Sequence, residues 1–111
     1  MALNAVTTGS KNIGIGDGAA RLINTGQKNV AIGDYAGDKI TTGQFNTFIG
    51  SGSDADTGLN ALNYSTAIGY NATATANNQI MLGTISEEVV CPNDLDVKGT
   101  CLLYTSPSPR D

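Results

Sequence analysis

Asn29-Val30-Ala31-Ile32-Gly33 is the stretch on which the fold turns, because the chain writes it four more times with small changes. The other copies are Asn12-Ile13-Gly14-Ile15-Gly16, Asn46-Thr47-Phe48-Ile49-Gly50, Ser65-Thr66-Ala67-Ile68-Gly69 and Gln79-Ile80-Met81-Leu82-Gly83. Their closing glycines stand at 16, 33, 50, 69 and 83, so the steps are 17, 17, 19 and 14 residues. A near-constant period with local insertions is the mark of stacked coils, since an insertion bulges from one turn and leaves the neighbouring rungs in register.

Inside each copy the residues alternate between two faces, which is the period of a β-strand. One face carries Ile13 and Ile15, Val30 and Ile32, Thr47 and Ile49, Thr66 and Ile68, Ile80 and Leu82. This face is expected to point into the coil. The other carries Gly14, Ala31, Phe48, Ala67 and Met81, a mix of sizes expected at a contact between subunits. Three residues after each closing glycine comes a small side chain, Ala19, Ala36, Ser53, Ala72 or Ser86, as a tight corner requires. A second turn signal, Thr7-Thr8-Gly9, Asn24-Thr25-Gly26 and Thr41-Thr42-Gly43, precedes the first three rungs. Asn12, Asn29 and Asn46 enter the rungs at the same position, where their amides can bond from coil to coil or cap the turn. The expected fold is all-β, a parallel β-solenoid of about five coils over residues 1–84. The residues expected to carry it are Gly16, Gly33, Gly50, Gly69 and Gly83, the aliphatic Ile15, Ile32, Ile49, Ile68 and Leu82, and the three asparagines.

Composition agrees with close backbone packing in place of a bulky core: of 111 residues 14 are Gly, 5% are aromatic and none is Trp. With few sizeable apolar side chains per coil, a coil is not expected to stand alone, and association with other chains is. The net charge of −4 is spread, and the six Lys and Arg form no cluster, which argues against nucleic acid or an anionic membrane as partner. No signal peptide and no apolar run long enough to span a bilayer is present in the sequence. The absence of His removes Ser-His-Asp catalysis and His-based metal sites. The chain is therefore read as non-enzymatic, with no catalytic, cofactor-binding or metal-ligating residue.

The pattern N-x-A-I-G-x-x-A, repeated from about Thr7 to Thr84, resembles the head repeats of trimeric autotransporter adhesins (the YadA-like head) and the related repeats of phage and giant-virus tail fibres. The resemblance implies a left-handed parallel β-roll, three chains side by side as a homotrimer, and a rod at the cell surface or on a virion. Its ligand would be a host-surface or extracellular-matrix protein or a glycan. Ser65 and Gln79 depart from the entrance Asn, and the 17-residue step exceeds the shortest head repeats, which leans toward the fibre relatives.

Other readings use the same residues. Ile15-Gly16-Asp17-Gly18-Ala19 and its counterparts also resemble the hexapeptide repeat of left-handed β-helix acyltransferases, but those run three hexads per coil and use a His base, whereas this chain has one hexad per period and no His. An ice-binding solenoid needs a rank of Thr on successive coils, and the pair Thr73 and Thr75 does not recur. Gly14 to Ala19 lacks the strand-loop-helix setting of a phosphate loop. Asp54-Ala55-Asp56-Thr57-Gly58 begins like a calcium loop yet meets Ser65 where Glu is required, and is expected to be a solvated insertion. Asn63-Tyr64-Ser65 and Asn71-Ala72-Thr73 fit the glycosylation pattern, which matters only for a protein secreted by a eukaryote.

Beyond the last rung, residues 85–100 read as a neck or transition to another module. Residues 101–111, Cys-Leu-Leu-Tyr-Thr-Ser-Pro-Ser-Pro-Arg-Asp, resemble a translated sequencing adapter and break the repeat. With them set aside, Cys91 is left without an intrachain disulfide partner, and the chain reads as a piece of a longer fibre.

Overall fold

The computed structural model describes residues 1–99. They form seven short strands and no helix: β1 (Ile13–Ile15), β2 (Val30–Ile32), β3 (Thr47–Ile49), β4 (Asp54–Ala55), β5 (Thr66–Ile68), β6 (Thr73–Ala74) and β7 (Ile80–Leu82). The five repeat copies supply one parallel sheet in the order β1-β2-β3-β5-β7, and β4 pairs with β6 in a second. Together they make a β-solenoid of about four turns. Each rung lies on the equivalent residues of the next: Ile13 on Val30, Val30 on Thr47, Thr47 on Thr66 and Thr66 on Ile80. Most backbone bonds run between coils, as in Val30 N to Asn46 O (2.8 Å), Gly33 N to Ile15 O (2.7 Å) and Gly50 N to Ile32 O (2.8 Å), while the corners close within a coil, as in Ala36 N to Gly33 O (3.1 Å). Every coil therefore depends on its neighbours for its hydrogen bonds.

The closing glycines let the coils approach this closely. Gly33 has φ +127°, and a Cβ built on it would sit 2.6 Å from the carbonyl carbon of Gly50. No L side chain fits both the torsion and the space. At the turn before the rung, Gly26 is packed just as tightly against the Gly43 carbonyl.

The interior is thin. Ala19, Ala36, Ser53 and Ala72 line the corner, all buried, with Ala20, Ile23, Ile40, Ala55, Leu62 and Ala74 completing the walls. Ser86, the fifth of the corner series, is exposed, because the chain leaves the coil after Gly83. The sheet contributes Ala31, Phe48 and Ala67 to this interior at 0–1% exposure. This inverts the orientation expected from the alternation. Ile15, Ile49, Ile68 and Leu82, together with Ile13 and Ile80, are exposed, while Val30, Ile32, Thr47 and Thr66 are half-buried. The physical reason is room. Gly37 already lies so near the sheet that a Cβ on it would be 3.1 Å from Ala31 Cβ and from the Phe48 ring, so a column of Ile cannot fit between the walls.

A buried amide ladder replaces the missing bulk at the strand entrance. Asn29 Nδ2 donates to Asn12 Oδ1 (3.1 Å) and to the Gly43 carbonyl (2.8 Å). Asn46 Nδ2 donates to Asn29 Oδ1 (3.0 Å) and to the Leu62 carbonyl (2.6 Å). The side-chain oxygens also accept the backbone N–H of the following rung, Asn29, Asn46 and finally Ser65, each at 3.0 Å. One amide thus bonds to the neighbouring coil and caps a turn at once, and among the described residues no buried side-chain N or O atom lacks a partner.

The irregular steps are explained locally. The 19-residue coil places Asp56, Thr57 and Gly58 outside the stack, whereas Asp54 and Ala55, expected in a solvated loop, are buried in β4. Asp54 accepts bonds from the amides of Lys39 (3.1 Å) and Ala55 (2.8 Å) and an ion pair from Lys39 Nζ at 3.4 Å. Burial nevertheless holds its pKa above the ordinary aspartate value. In the 14-residue coil, Gln79 replaces the ladder Asn and folds back within its own coil, accepting the Thr75 amide at 2.7 Å. At the start of the chain, Leu3 N bonds to Ala19 O (2.9 Å) and Ala5 N to Arg21 O (3.1 Å), so residues 2–5 cover the first coil. Residues 85–99 carry no strand or helix, and Ile85, Val89, Val90 and Leu95 are exposed. Cys91 is exposed and forms no disulfide among the described residues, and residues 101–111 lie outside them.

Candidate functional site

With Ala31, Phe48 and Ala67 turned inward, the other face of the five-rung sheet looks out. Each strand is flanked by two further residues that are not buried, one before the entrance Asn, Ser or Gln and one after the closing glycine. The rows read Lys11-Ile13-Ile15-Asp17, Lys28-Val30-Ile32-Asp34, Phe45-Thr47-Ile49-Ser51, Tyr64-Thr66-Ile68-Tyr70 and Asn78-Ile80-Leu82-Thr84. None of these residues is buried. The centre is an aliphatic ribbon, with Ile15 58% and Ile80 72% exposed, about 19 Å from first rung to last at roughly 4.8 Å per strand. An apolar band of that length on one face of a parallel sheet departs from an ordinary solvent face, and bands of this kind mark contacts with other molecules.

The two edges of the ribbon are columns of their own. On the entrance side, Lys11, Lys28, Phe45, Tyr64 and Asn78 all adopt left-handed backbone torsions, φ +56° to +60°. Such torsions cost on the order of 1 kcal/mol in a residue with a Cβ, and stacking along the column offsets it. The Phe45 and Tyr64 rings lie parallel, 2° between planes and 4.9 Å between centroids, and the Lys28 ammonium stands 5.1 Å from the Phe45 centroid. Gln44 and Asn63 sit beside the rings, joined by the Gln44 amide donating to Asn63 Oδ1 at 2.8 Å. On the exit side, Asp17 takes the Met1 α-ammonium at 2.6 Å, which pulls its pKa below the ordinary value, and its amide donates to Asp34 Oδ1 at 3.3 Å. Arg21 is occupied by a two-point contact with Asp38 (2.9 and 3.1 Å) outside the ribbon. Among the described residues, Lys11, Lys28 and Asp34 form no ion pair.

The residues singled out in the sequence fall into three places. Gly16, Gly33, Gly50, Gly69 and Gly83 end the rungs at the exit edge, Asn12, Asn29 and Asn46 form the ladder beneath the entrance edge, and Ile15, Ile32, Ile49, Ile68 and Leu82 occupy the ribbon. The flanking columns were not singled out, although their positions two residues before and two after each strand recur with the period of the repeat. Thr73 and Thr75 do not form a surface rank: Thr73 is half-buried in β6 and Thr75 is engaged by Gln79. After the last rung, a cleft of about 320 Å³ opens beside Met81, Thr73 and Ile85. No group of three or more His, Cys, Asp or Glu side chains is placed to hold a metal ion among the described residues. Nor is any helix of the described residues long and apolar enough to cross a membrane. Comparison with family models, curated proteins and solved structures returned no match.

Proposed function

We propose that this chain is a segment of a homotrimeric surface fibre, a non-enzymatic rod whose task is display and attachment. The observation that carries the reading is the exposed aliphatic ribbon, unbroken over five parallel rungs. Three such ribbons turned toward a common axis remove from water the face that the single chain leaves wet, at about 25 cal/mol for each Å² of apolar surface covered. The coil is left-handed in this reading, as in the adhesin heads and tail fibres whose repeat it resembles. Attachment is spread over exposed turns that repeat from coil to coil, such as those carrying Thr8, Thr25 and Thr42. Many weak copies of one loop, multiplied by three chains and by rod length, give avidity without a pocket. The ligand class is a host-surface or extracellular-matrix protein or a glycan, and the setting is a cell surface or a virion fibre.

Sedimentation equilibrium of the purified chain tests the assembly, with a trimer expected. Ile32→Lys, which places a charge at the centre of the ribbon, is expected to give a β-rich monomer. Beads coated with the wild-type chain should adhere to cells or matrix and beads carrying the Ile32→Lys chain should not. A wild-type chain that stays monomeric at all concentrations, or binding that is equal for both chains, overturns the respective half of the reading.

A further inference from the structure

Two questions are left open by a trimer built on the ribbon: which edge meets which, and at what height. The edge columns answer both. Read from the first rung to the last, the entrance edge is Lys11, Lys28, Phe45, Tyr64, Asn78, and the exit edge is Asp17, Asp34, Ser51, Tyr70, Thr84. The two lists match row by row: cation with carboxylate twice, then ring with small polar residue, ring with ring, and amide with hydroxyl.

We propose that neighbouring chains associate with their stacks parallel and in register, the entrance edge of one against the exit edge of the next, so that Lys28 faces Asp34 of the partner subunit. The same contact places Lys11 opposite Asp17 of the partner subunit. This inference rests on the trimeric reading above and specifies its lateral contact. Rotation about an axis parallel to the stack always brings an entrance edge to an exit edge, and so generates these pairs at every interface of a closed ring. An antiparallel pair brings like edges together in reverse order, with Lys28 beside Tyr64 and Lys11 beside Asn78, and both charge pairs are lost. A slip of one rung keeps a single cation-carboxylate pair and sets the other charges against uncharged residues. The parallel, in-register arrangement alone satisfies both levels.

The groups are prepared for this contact. Lys28 is held at the edge by the Phe45 ring and pairs with no carboxylate among the described residues, and Asp34 is exposed, receiving the Asp17 amide but no cation among them. Asp17 already carries the Met1 ammonium, so the Lys28 level is the stronger determinant. Charges at the rim of an apolar contact steer encounter and select partners more than they add affinity, which suits a device for register.

Sedimentation equilibrium on the full chain, with three variants and two salt concentrations, tests the pairing. Lys28→Glu and Asp34→Lys each set like charges together and are expected to weaken association about tenfold per interface, as is raising the salt to 1 M for the wild type. Asp34→Lys leaves the Lys28 contact with Phe45 intact but removes the acceptor of the Asp17 amide, so rescue in the double variant separates the pairing from damage within the chain. The double variant, Lys28→Glu with Asp34→Lys, is expected to recover wild-type trimerisation yet to be excluded from trimers with differently tagged wild-type chains. Single variants that trimerise as tightly as wild type, or a double variant that mixes freely with it, overturn the edge pairing while leaving the trimer standing. A monomeric wild type overturns the trimer and the pairing together.

Discussion

The two faces of the five-rung sheet divide their labour in the opposite sense to an ordinary half-buried sheet. The inward face carries Gly14, Ala31, Ala67, the Phe48 ring and, in the last rung, a half-buried Met81, while the outward face carries the branched aliphatic residues of the sheet. In a free-standing domain the larger residues go inside, because burying them contributes most. Here the coil is too narrow, and its cohesion comes from backbone bonds between coils, an amide ladder and close contact of small residues. The difference teaches that the inside of the coil serves close approach of backbones, and that the hydrophobic material of the sheet lies on its outer face, where the proposed assembly would cover it.

Gly33→Val strikes the junction where both faces end, and should have the largest effect. A branched side chain at φ +127° directed into the Gly50 carbonyl leaves no compatible coil, so loss of the β-sheet circular dichroism signal is expected. A folded, assembling variant would break the account of the close approach.

Next in size is the contrast between adjacent residues on opposite faces. Phe48→Ala empties the largest buried side chain and should cost about 3–5 kcal/mol in thermal or denaturant unfolding. Ile49→Thr, on the exposed face, should cost under about 1 kcal/mol in the monomer and be felt in association instead. Equal losses of monomer stability would erase the distinction between the faces.

Asn29→Ala sharpens the comparison by removing the ladder that substitutes for bulk. It leaves the Gly43 carbonyl and the Asn46 backbone N–H without this partner, while Asn12 Oδ1 keeps the backbone N–H of residue 29, and a loss of about 2–3 kcal/mol is expected, since each buried polar group left alone costs about 1–3 kcal/mol. Unchanged stability would show that water replaces the amide and that the ladder is not a cohesive element.

The smallest effect is the pH dependence carried by Asp54. Its pKa is raised by burial, so the folded chain holds this proton more tightly than the unfolded one. The stabilisation from protonation is full below the unfolded value near 3.8 and is lost as pH rises through the higher folded value. Asp17 runs the other way, its contribution present above 3.8 and lost as pH falls through its lowered value. The difference in Tm between wild type and Asp54→Asn, followed from pH 7 downward, isolates the first: the wild type should gain relative to the variant on acidification. A gap that is constant with pH, or that moves against the wild type, contradicts the raised pKa.

Much of this architecture was legible from spacing alone. The closing glycines at 16, 33, 50, 69 and 83 marked the rungs, and the pairing of Ile13 with Val30 and Val30 with Thr47 follows from the 17-residue step. The second sheet was less so, because Asp54 reads as a loop residue until Lys39 is seen to cover it from the preceding coil. The ribbon's edges were missed for a similar reason: Lys28, Phe45 and Tyr64 share no residue type, and only stacking brings them into one column.

The sequence by itself determined that the chain repeats, that each repeat holds one alternating rung, and that asparagine and glycine recur at its two ends. These are properties of period and residue type, which need no third dimension. Which face of the rung lies inside was decided only by the tertiary structure. Alternation is symmetric between the faces, and what breaks the symmetry is the width of the coil, set by the opposite wall at Gly37 and the corner at Ala19, Ala36, Ser53 and Ala72. That wall leaves room for alanine and a single phenylalanine ring, and so turns the isoleucines outward.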